Sequence, residues 1–216
     1  MGFISSLLDL LFPPKCVFCA RVLNKGDDGL CGRCTESLPF ADNRGEQKGE
    51  YFDFCLSPLY YRGVVRRSVL RFKFGGAQAY AAIYGKLLAD CIRGRPGIGF
   101  DMVSWVPLSR SRERSRGYDQ ARLLAMATAL ELGAAAAGTL VKQIDVRAQS
   151  ELGGRDERSA NISGAYAVPD PDAVAGKCVL LVDDVVTTGS TLDECAKALL
   201  AAGAKRVVCA SLARSD

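Results

Sequence analysis

The chain has 216 residues, of which 49% are hydrophobic and 24% charged, with a formal net charge of +4. This is the composition of a globular protein with one substantial core and room for a small second unit. Histidine is absent, which excludes Ser-His-Asp and Cys-His catalysis, imidazole metal sites and a histidine general base. A charge this mild does not announce a nucleic-acid partner; what counts is whether the arginines cluster.

In chain order, "FISSLLDLLF" comes first, with Phe3, Ile4, Leu7, Leu8 and Leu11 at helical spacing, and predicts a short amphipathic helix. It lacks a positively charged n-region and is broken by Asp9 and the prolines Pro13 and Pro14, so a signal peptide is not expected. No run approaches the roughly 20 apolar residues of a membrane helix, so no membrane span and a cytoplasmic protein are expected.

Four of the nine cysteines fall as "CVFC" at Cys16 and Cys19 and "CGRC" at Cys31 and Cys34, two C-x2-C knuckles eleven residues apart. Such knuckles place four thiolates where they can close a tetrahedron around one structural Zn2+. A unit of this size has too little core to fold on apolar burial alone, and metal supplies the difference. Cys55, Cys91, Cys178, Cys195 and Cys209 sit singly in apolar stretches and read as small buried hydrophobes. The polar "ADNRGEQKGE" from Ala41 to Glu50 reads as a linker or solvated loop. The domain boundary is expected there, with residues 1–50 forming the N-terminal helix, ribbon and linker and residues 51–216 the main domain.

Beyond it, strands and helices alternate. "FCLSPLYYRG" reads as a strand, "VVRRSVLRFKF" and "AYAAIYGKLLADCIRG" as helices, "DMVSWVPL" as a strand and "YDQARLLAMATALELG" as a helix ending at Gly133. "GTLVKQ" is a short strand and "AYAVPD" an edge-like segment stopped by Pro169. "CVLLVDDV" is a strand, "STLDECAKALLAAGA" a helix ending at Gly203, and "RVVCASLAR" a final strand. Near-continuous apolar strands separated by helices indicate an α/β domain on a parallel sheet.

The stretch "VLLVDDVVTTGST" is chemically unusual. Four apolar residues run into two adjacent carboxylates, Asp183 and Asp184, and then into a turn of hydroxyls and glycine. In an open parallel sheet, ligands sit beyond the carboxyl ends of the strands. Thr187, Thr188, Gly189, Ser190 and Thr191 lead into a helix, so their N–H groups and hydroxyls can surround an anion, and Gly189 lets the backbone approach closely. Carboxylates for hydroxyls or Mg2+ beside a phosphate nest suit a ribose 5-phosphate. A Walker B strand would need a G-x-x-x-x-G-K-[ST] loop, which the chain lacks.

Four apolar residues, Asp-Asp, two apolar residues and Thr-Thr-Gly-Ser-Thr resemble the signature of the type I phosphoribosyltransferases, which bind phosphoribosyl pyrophosphate (PRPP). The ordered set of a four-cysteine ribbon, "LRFKFGG", "VPLSRSRERSRGYDQARLLA", "QSELGGRDERSANISGAY" and this signature resembles the ComF family of bacterial competence-related proteins. The resemblance implies a type I phosphoribosyltransferase-like parallel sheet with helices on both faces, plus a small N-terminal zinc ribbon. It implies that Asp183 and Asp184 address the ribose hydroxyls, directly or through Mg2+, and that Thr187 to Thr191 hold the 5-phosphate. Family members acting on hypoxanthine or guanine usually carry Asp where this chain has Thr187, which argues against that purine chemistry.

By the same resemblance, the loop after "DMVSWVPL" contacts pyrophosphate through Arg110, Arg112, Arg114 and Arg116; a solvated basic loop and a DNA phosphate contact stand beside that reading. Gln149, Arg155, Arg158 and Asn161 resemble a lid closing over the substrate, with Arg158 and Arg112 as catalytic candidates. Lys73 matches a lysine of the family pattern, with its role open. Two functions are in view. One is an enzyme moving ribose 5-phosphate from PRPP to an unidentified nitrogenous acceptor with loss of pyrophosphate. The other is a non-catalytic PRPP or nucleotide-binding module acting in DNA uptake, through single-stranded DNA or a helicase-like partner.

Overall fold

The computed structural model describes residues 13–143 and 164–216. The amphipathic stretch from Phe3 and the lid-like segment with Gln149, Arg155, Arg158 and Asn161 lie outside them. Among the described residues no helix is long and apolar enough to cross a membrane.

After the first knuckle, a six-residue helix α1 (Gly32–Ser37) begins directly behind Cys31. The polar stretch that follows is held rather than free. Asp42–Gly45 forms a 3-10 turn, Gln47 bridges to Cys55, and Glu46 pairs with Arg95 at 3.0 Å. At its far end, the Asp193 carboxylate accepts from the Glu50 and Tyr51 N–H groups at 2.8 and 2.9 Å.

The predicted first strand is two short ones, β1 (Cys55–Leu56) and β2 (Leu59–Tyr60), separated by Ser57 and Pro58. Proline offers no N–H to a ladder, so the pairing stops and resumes. Helices α2 (Gly63–Phe74) and α3 (Tyr80–Arg93) follow, then β3 (Met102–Trp105). The arginine-rich segment, expected as a loop, is a seven-residue helix α4 (Arg110–Arg116). The Ser109 hydroxyl accepts from the Arg112 N–H at its start, and Gly117, at φ 78°, ends it. Helix α5 (Gln120–Leu132) is capped by Asp119 and stops at Gly133.

Strands β4 (Val141–Lys142) and β5 (Tyr166–Ala167) form an antiparallel pair of their own. Strand β6 (Cys178–Val186), helix α6 (Ser190–Ala201) and strand β7 (Arg206–Arg214) complete the chain. The main sheet runs β1–β7–β6–β3, with β2 also on β7, and every pairing is parallel.

Strand β6 shows why the sheet sits between two layers. Val179 to Val182 are all wholly buried, each contributing about 1.5–3 kcal/mol by the usual area scaling. Alternate residues serve opposite faces. Leu180 and Val182 join Val65, Phe72, Tyr84 and Leu124 of α2, α3 and α5, whereas Val179 and Leu181 join Leu192, Cys195 and Leu199 of α6. Helices therefore cover both faces. Of the five single cysteines, Cys55, Cys91, Cys195 and Cys209 are buried as expected, and Cys178 is half-buried. The ribbon shares the first of these cores, with Cys16, Phe18 and Leu38 in one apolar cluster with Val65 and Tyr84.

Candidate functional site

The two knuckles bring Cys16, Cys19, Cys31 and Cys34 together, their Sγ atoms all within 4.8 Å of one another. Tetrahedral zinc with Zn–S of about 2.3 Å sets sulfurs roughly 3.8 Å apart, and Cys19 and Cys31 Sγ stand at 3.6 Å. Four soft thiolates, three of them buried, fit a structural Zn2+. Burial opposes ionisation of Cys16, but N–H groups of Cys19 and Cys31 outweigh it and bring its pKa down to about 7. Helix α2 grips this unit. Arg71 Nη2 donates to the Val17 and Phe18 carbonyls at 2.9 and 2.7 Å, and the Ser68 hydroxyl also donates to Val17.

The second site lies at the carboxyl end of β6. The pairing with β3 ends at Trp105 and Val182, while β6 continues through both aspartates to Val186. Beyond Val182 the β3 side of the strand is therefore open, and a cavity of about 190 Å3 forms there. Because successive side chains alternate, Asp184 lies on the α2 side and Asp183 on the α6 side. The pleat thus separates the two charges that the sequence places side by side.

Asp184 is buried, and its Oδ1 meets Lys73 Nζ at 2.6 Å. The lysine whose role the sequence left open is therefore the partner of the signature's second aspartate. Asp183 Oδ1 accepts from the Asp184 N–H at 2.7 Å. Burial, with the Asp184 charge next, raises the Asp183 pKa to about 8.

The Thr187 to Thr191 turn leads directly into α6. Gly189 adopts φ 87° as the cap of α6, and a Cβ there would come within 3.2 Å of Gln47 Nε2. Thr188 and Ser190 hydroxyls are 2.9 Å apart, Thr187 is exposed, and Thr191 lines the cavity. Of the arginines, Arg112 and Arg116 line the cavity; Arg110 opens instead on a neighbouring cleft with Glu113 and Asp119, and Arg114 is exposed. One residue the sequence reading passed over, Gln120, also lines the cavity and is buried. Nothing in the sequence singles it out, since a glutamine at a helix start is ordinary.

A carboxylate-bearing strand end, a glycine-capped hydroxyl-rich turn and an arginine helix on a doubly covered parallel sheet define a phosphoribosyltransferase-like domain carrying a four-cysteine ribbon. Comparison with known families agrees: residues 119–216 match the phosphoribosyl transferase domain and residues 7–53 the double zinc ribbon domain. The chain is 32% identical to DNA utilization protein YhgH of Salmonella typhimurium, over 89% of this chain and 86% of that protein. It is 27% identical to Competence protein F of Haemophilus influenzae, over 93% of this chain and 97% of that one. The chain belongs to this family of competence protein F and DNA utilization proteins. Among solved structures, the glutamine PRPP amidotransferase from B. subtilis aligns with a TM-score of 0.47 and 20% identity, over 66% of this chain and 30% of that chain.

Proposed function

We propose that the protein binds PRPP at the end of β6 and transfers its ribose 5-phosphate to a nitrogenous acceptor. The observation that carries this reading is the convergence of Asp183, Asp184, Arg112, Arg116 and Thr191 around one cavity, with the glycine-capped start of α6 directly beside Thr191. In this reading the N–H groups and hydroxyls of the nest hold the 5-phosphate at the start of α6. Asp183 and Asp184 orient the ribose hydroxyls, and Arg112 and Arg116 receive the diphosphate. The acceptor nitrogen forms a bond to C1 while the bond from C1 to the diphosphate oxygen breaks, so pyrophosphate leaves with the bonding pair. The proton of the attacking nitrogen passes to solvent. Cations aimed at the departing oxygens lower the barrier because charge develops there.

Mg2+ fits the donor set, since both aspartates offer hard carboxylate oxygens and Asp184 Oδ2 has no partner. Bound with the ester, it would supply charge neutralisation on the pyrophosphate.

Calorimetry with PRPP and Mg2+ tests the binding, and pyrophosphate release across a panel of bases and amines tests the transfer. Binding lost in Asp183→Asn/Asp184→Asn, with pyrophosphate released by wild type, is the expected result. Binding without release from any acceptor supports the second reading instead, a PRPP-binding module in DNA uptake. Exposure of Arg110, Arg112 and Arg114 along α4 favours contact with a polyanion. A DNA affinity that falls steeply with salt and with loss of these charges would support that reading.

A further inference from the structure

Among the described residues, three buried side-chain polar atoms have no hydrogen-bond partner: Arg116 Nη1, Gln120 Oε1 and Asp184 Oδ2. All three belong to residues lining the same cavity at the end of β6. Buried polar groups are almost always paired, so three orphans in one place mark where a ligand completes the bonding.

The segment that carries Arg116 and Gln120 is pinned to its neighbours. The Arg116 guanidinium lies over the Phe74 ring at 4.7 Å, and the Tyr118 hydroxyl donates to the Phe72 carbonyl, pinning the turn between α4 and α5 to the end of α2. The Asp119 carboxylate accepts from the Arg122 N–H at 3.0 Å and the Leu108 N–H at 3.3 Å, which sets the first turn of α5 against the end of β3. Gln120 begins that turn and is 3% exposed. Its amide is buried with its oxygen unmet.

The chemistry of the orphans sorts the ligand's groups. Arg116 Nη1 is a donor and needs an anionic oxygen. Gln120 Oε1 and Asp184 Oδ2 are acceptors and need donors or, for the carboxylate, a cation. A diphosphate offers oxygens and no donor, so it satisfies Arg116 and leaves Gln120 unmet. A sugar hydroxyl supplies what Gln120 lacks.

We propose that Gln120 and Arg116 divide recognition between them, Gln120 Oε1 accepting from a ribose hydroxyl and Arg116 Nη1 donating to the diphosphate. Gln120 is thereby a binding residue outside the aspartate signature, selecting a hydroxylated sugar phosphate over a bare polyphosphate. This rests on the reading of the cavity as a ribose phosphate site.

The test uses the full zinc-loaded chain with two separate probes, ribose 5-phosphate and inorganic pyrophosphate, each with Mg2+. Gln120→Leu keeps the side chain's volume and removes the acceptor, and Gln120→Met serves where the first variant folds poorly. Affinity for ribose 5-phosphate should fall about tenfold and that for pyrophosphate stay level, the size of one neutral hydrogen bond. The ligand-free melting temperature should hold or rise, because an unmet buried oxygen has been removed. Arg116→Leu should show the reverse selectivity. Unchanged ribose 5-phosphate affinity in both Gln120 variants overturns the proposal, as does a lower melting temperature with unchanged affinity, which would make Gln120 a packing residue. Wild-type protein that binds neither probe defeats the ribose phosphate reading itself, and this proposal with it.

Discussion

The ribbon and the cavity at the end of β6 are opposite solutions for polar groups, joined by one helix. In the ribbon every ligand comes from nineteen consecutive residues, Cys16 to Cys34, and four thiolates face one another with a single metal to satisfy them all. In the cavity, Lys73, the Arg116 to Gln120 segment and Asp184 come from three separate parts of the chain, and three of their polar atoms are left unmet. A closed site stabilises the fold that contains it. An open one keeps unmet polarity for a ligand to complete. Helix α2 touches both, gripping the ribbon through Ser68 and Arg71 and reaching Asp184 through Lys73.

The largest effect is expected where the closed site is opened. Cys16→Ser should reduce the zinc content from one per chain to near zero. It should also lower the melting temperature by about 10–20 °C, since apolar packing alone does not hold so small a unit and each kcal/mol is worth roughly 2–4 °C at this chain length. Metal analysis and thermal melting read both quantities. A protein that loses zinc and melts unchanged would show that the ribbon is a passenger on α2.

Next comes the ion pair that the cavity keeps for itself. Lys73→Met leaves Asp184 charged and buried without its partner, at an expected cost of about 3–5 kcal/mol, whereas Lys73→Met/Asp184→Leu should recover most of it. Denaturant unfolding of the single and double variants gives the coupling directly. Additive losses would mean that the 2.6 Å contact contributes nothing in solution.

The contrast between the sites is also a contrast in what the sequence could reveal. Zinc ligands at local spacing are legible because the chemistry and the chain run together. The signature turn is legible for the same reason, and Gly189 indeed sits at φ 87° ahead of α6. Alternating apolar and helical segments gave the parallel sheet, since its central strand is buried on both faces and reads as a continuous apolar run. The partner of Asp184 was not legible. The family pattern singles out Lys73, but it lies over a hundred residues away and nothing local pairs it with Asp184.

The arginine segment reads as a loop because "SRSRERSRG" carries no apolar period. Its helix is specified instead by the Ser109 cap and the Gly117 stop. Gln120 does not stand out in the sequence because a single glutamine at a helix start is ordinary; only its burial and its unmet oxygen make it unusual.

Asp183 should make the open site visible in the pH dependence of stability. Its neighbours are Asp184, Lys73 and Asp119, and burial with the Asp184 charge raises its pKa to about 8, against about 3.9 unfolded. The folded state therefore holds a proton that the unfolded state releases. This contribution is fully present below about pH 4 and is lost as pH rises toward 8. Asp183→Asn should flatten that decline and stabilise the ligand-free protein at pH 8 by at least about 1 kcal/mol. Denaturant unfolding from pH 5 to 8.5 is the measurement, and parallel profiles for the two proteins would contradict the raised pKa.

The smallest expected effect separates backbone strain from ligand contact. Gly189 and Gly176 both have left-handed backbones, at φ 87° and 71°. A Cβ at 176 would meet nothing within 4 Å, while one at 189 would come within 3.2 Å of Gln47 Nε2. Alanine at either position costs the same kind of backbone strain, about 1–2 kcal/mol. Their stability losses should therefore be close, with position 189 slightly worse. Their ribose 5-phosphate affinities should diverge, because only at 189 does the new methyl group enter the turn whose N–H groups would face the phosphate. Gly176→Ala is expected to bind as wild type and Gly189→Ala several-fold more weakly. Equal affinities would place the phosphate elsewhere than this turn, and would leave the Thr187 to Thr191 run as a helix cap alone.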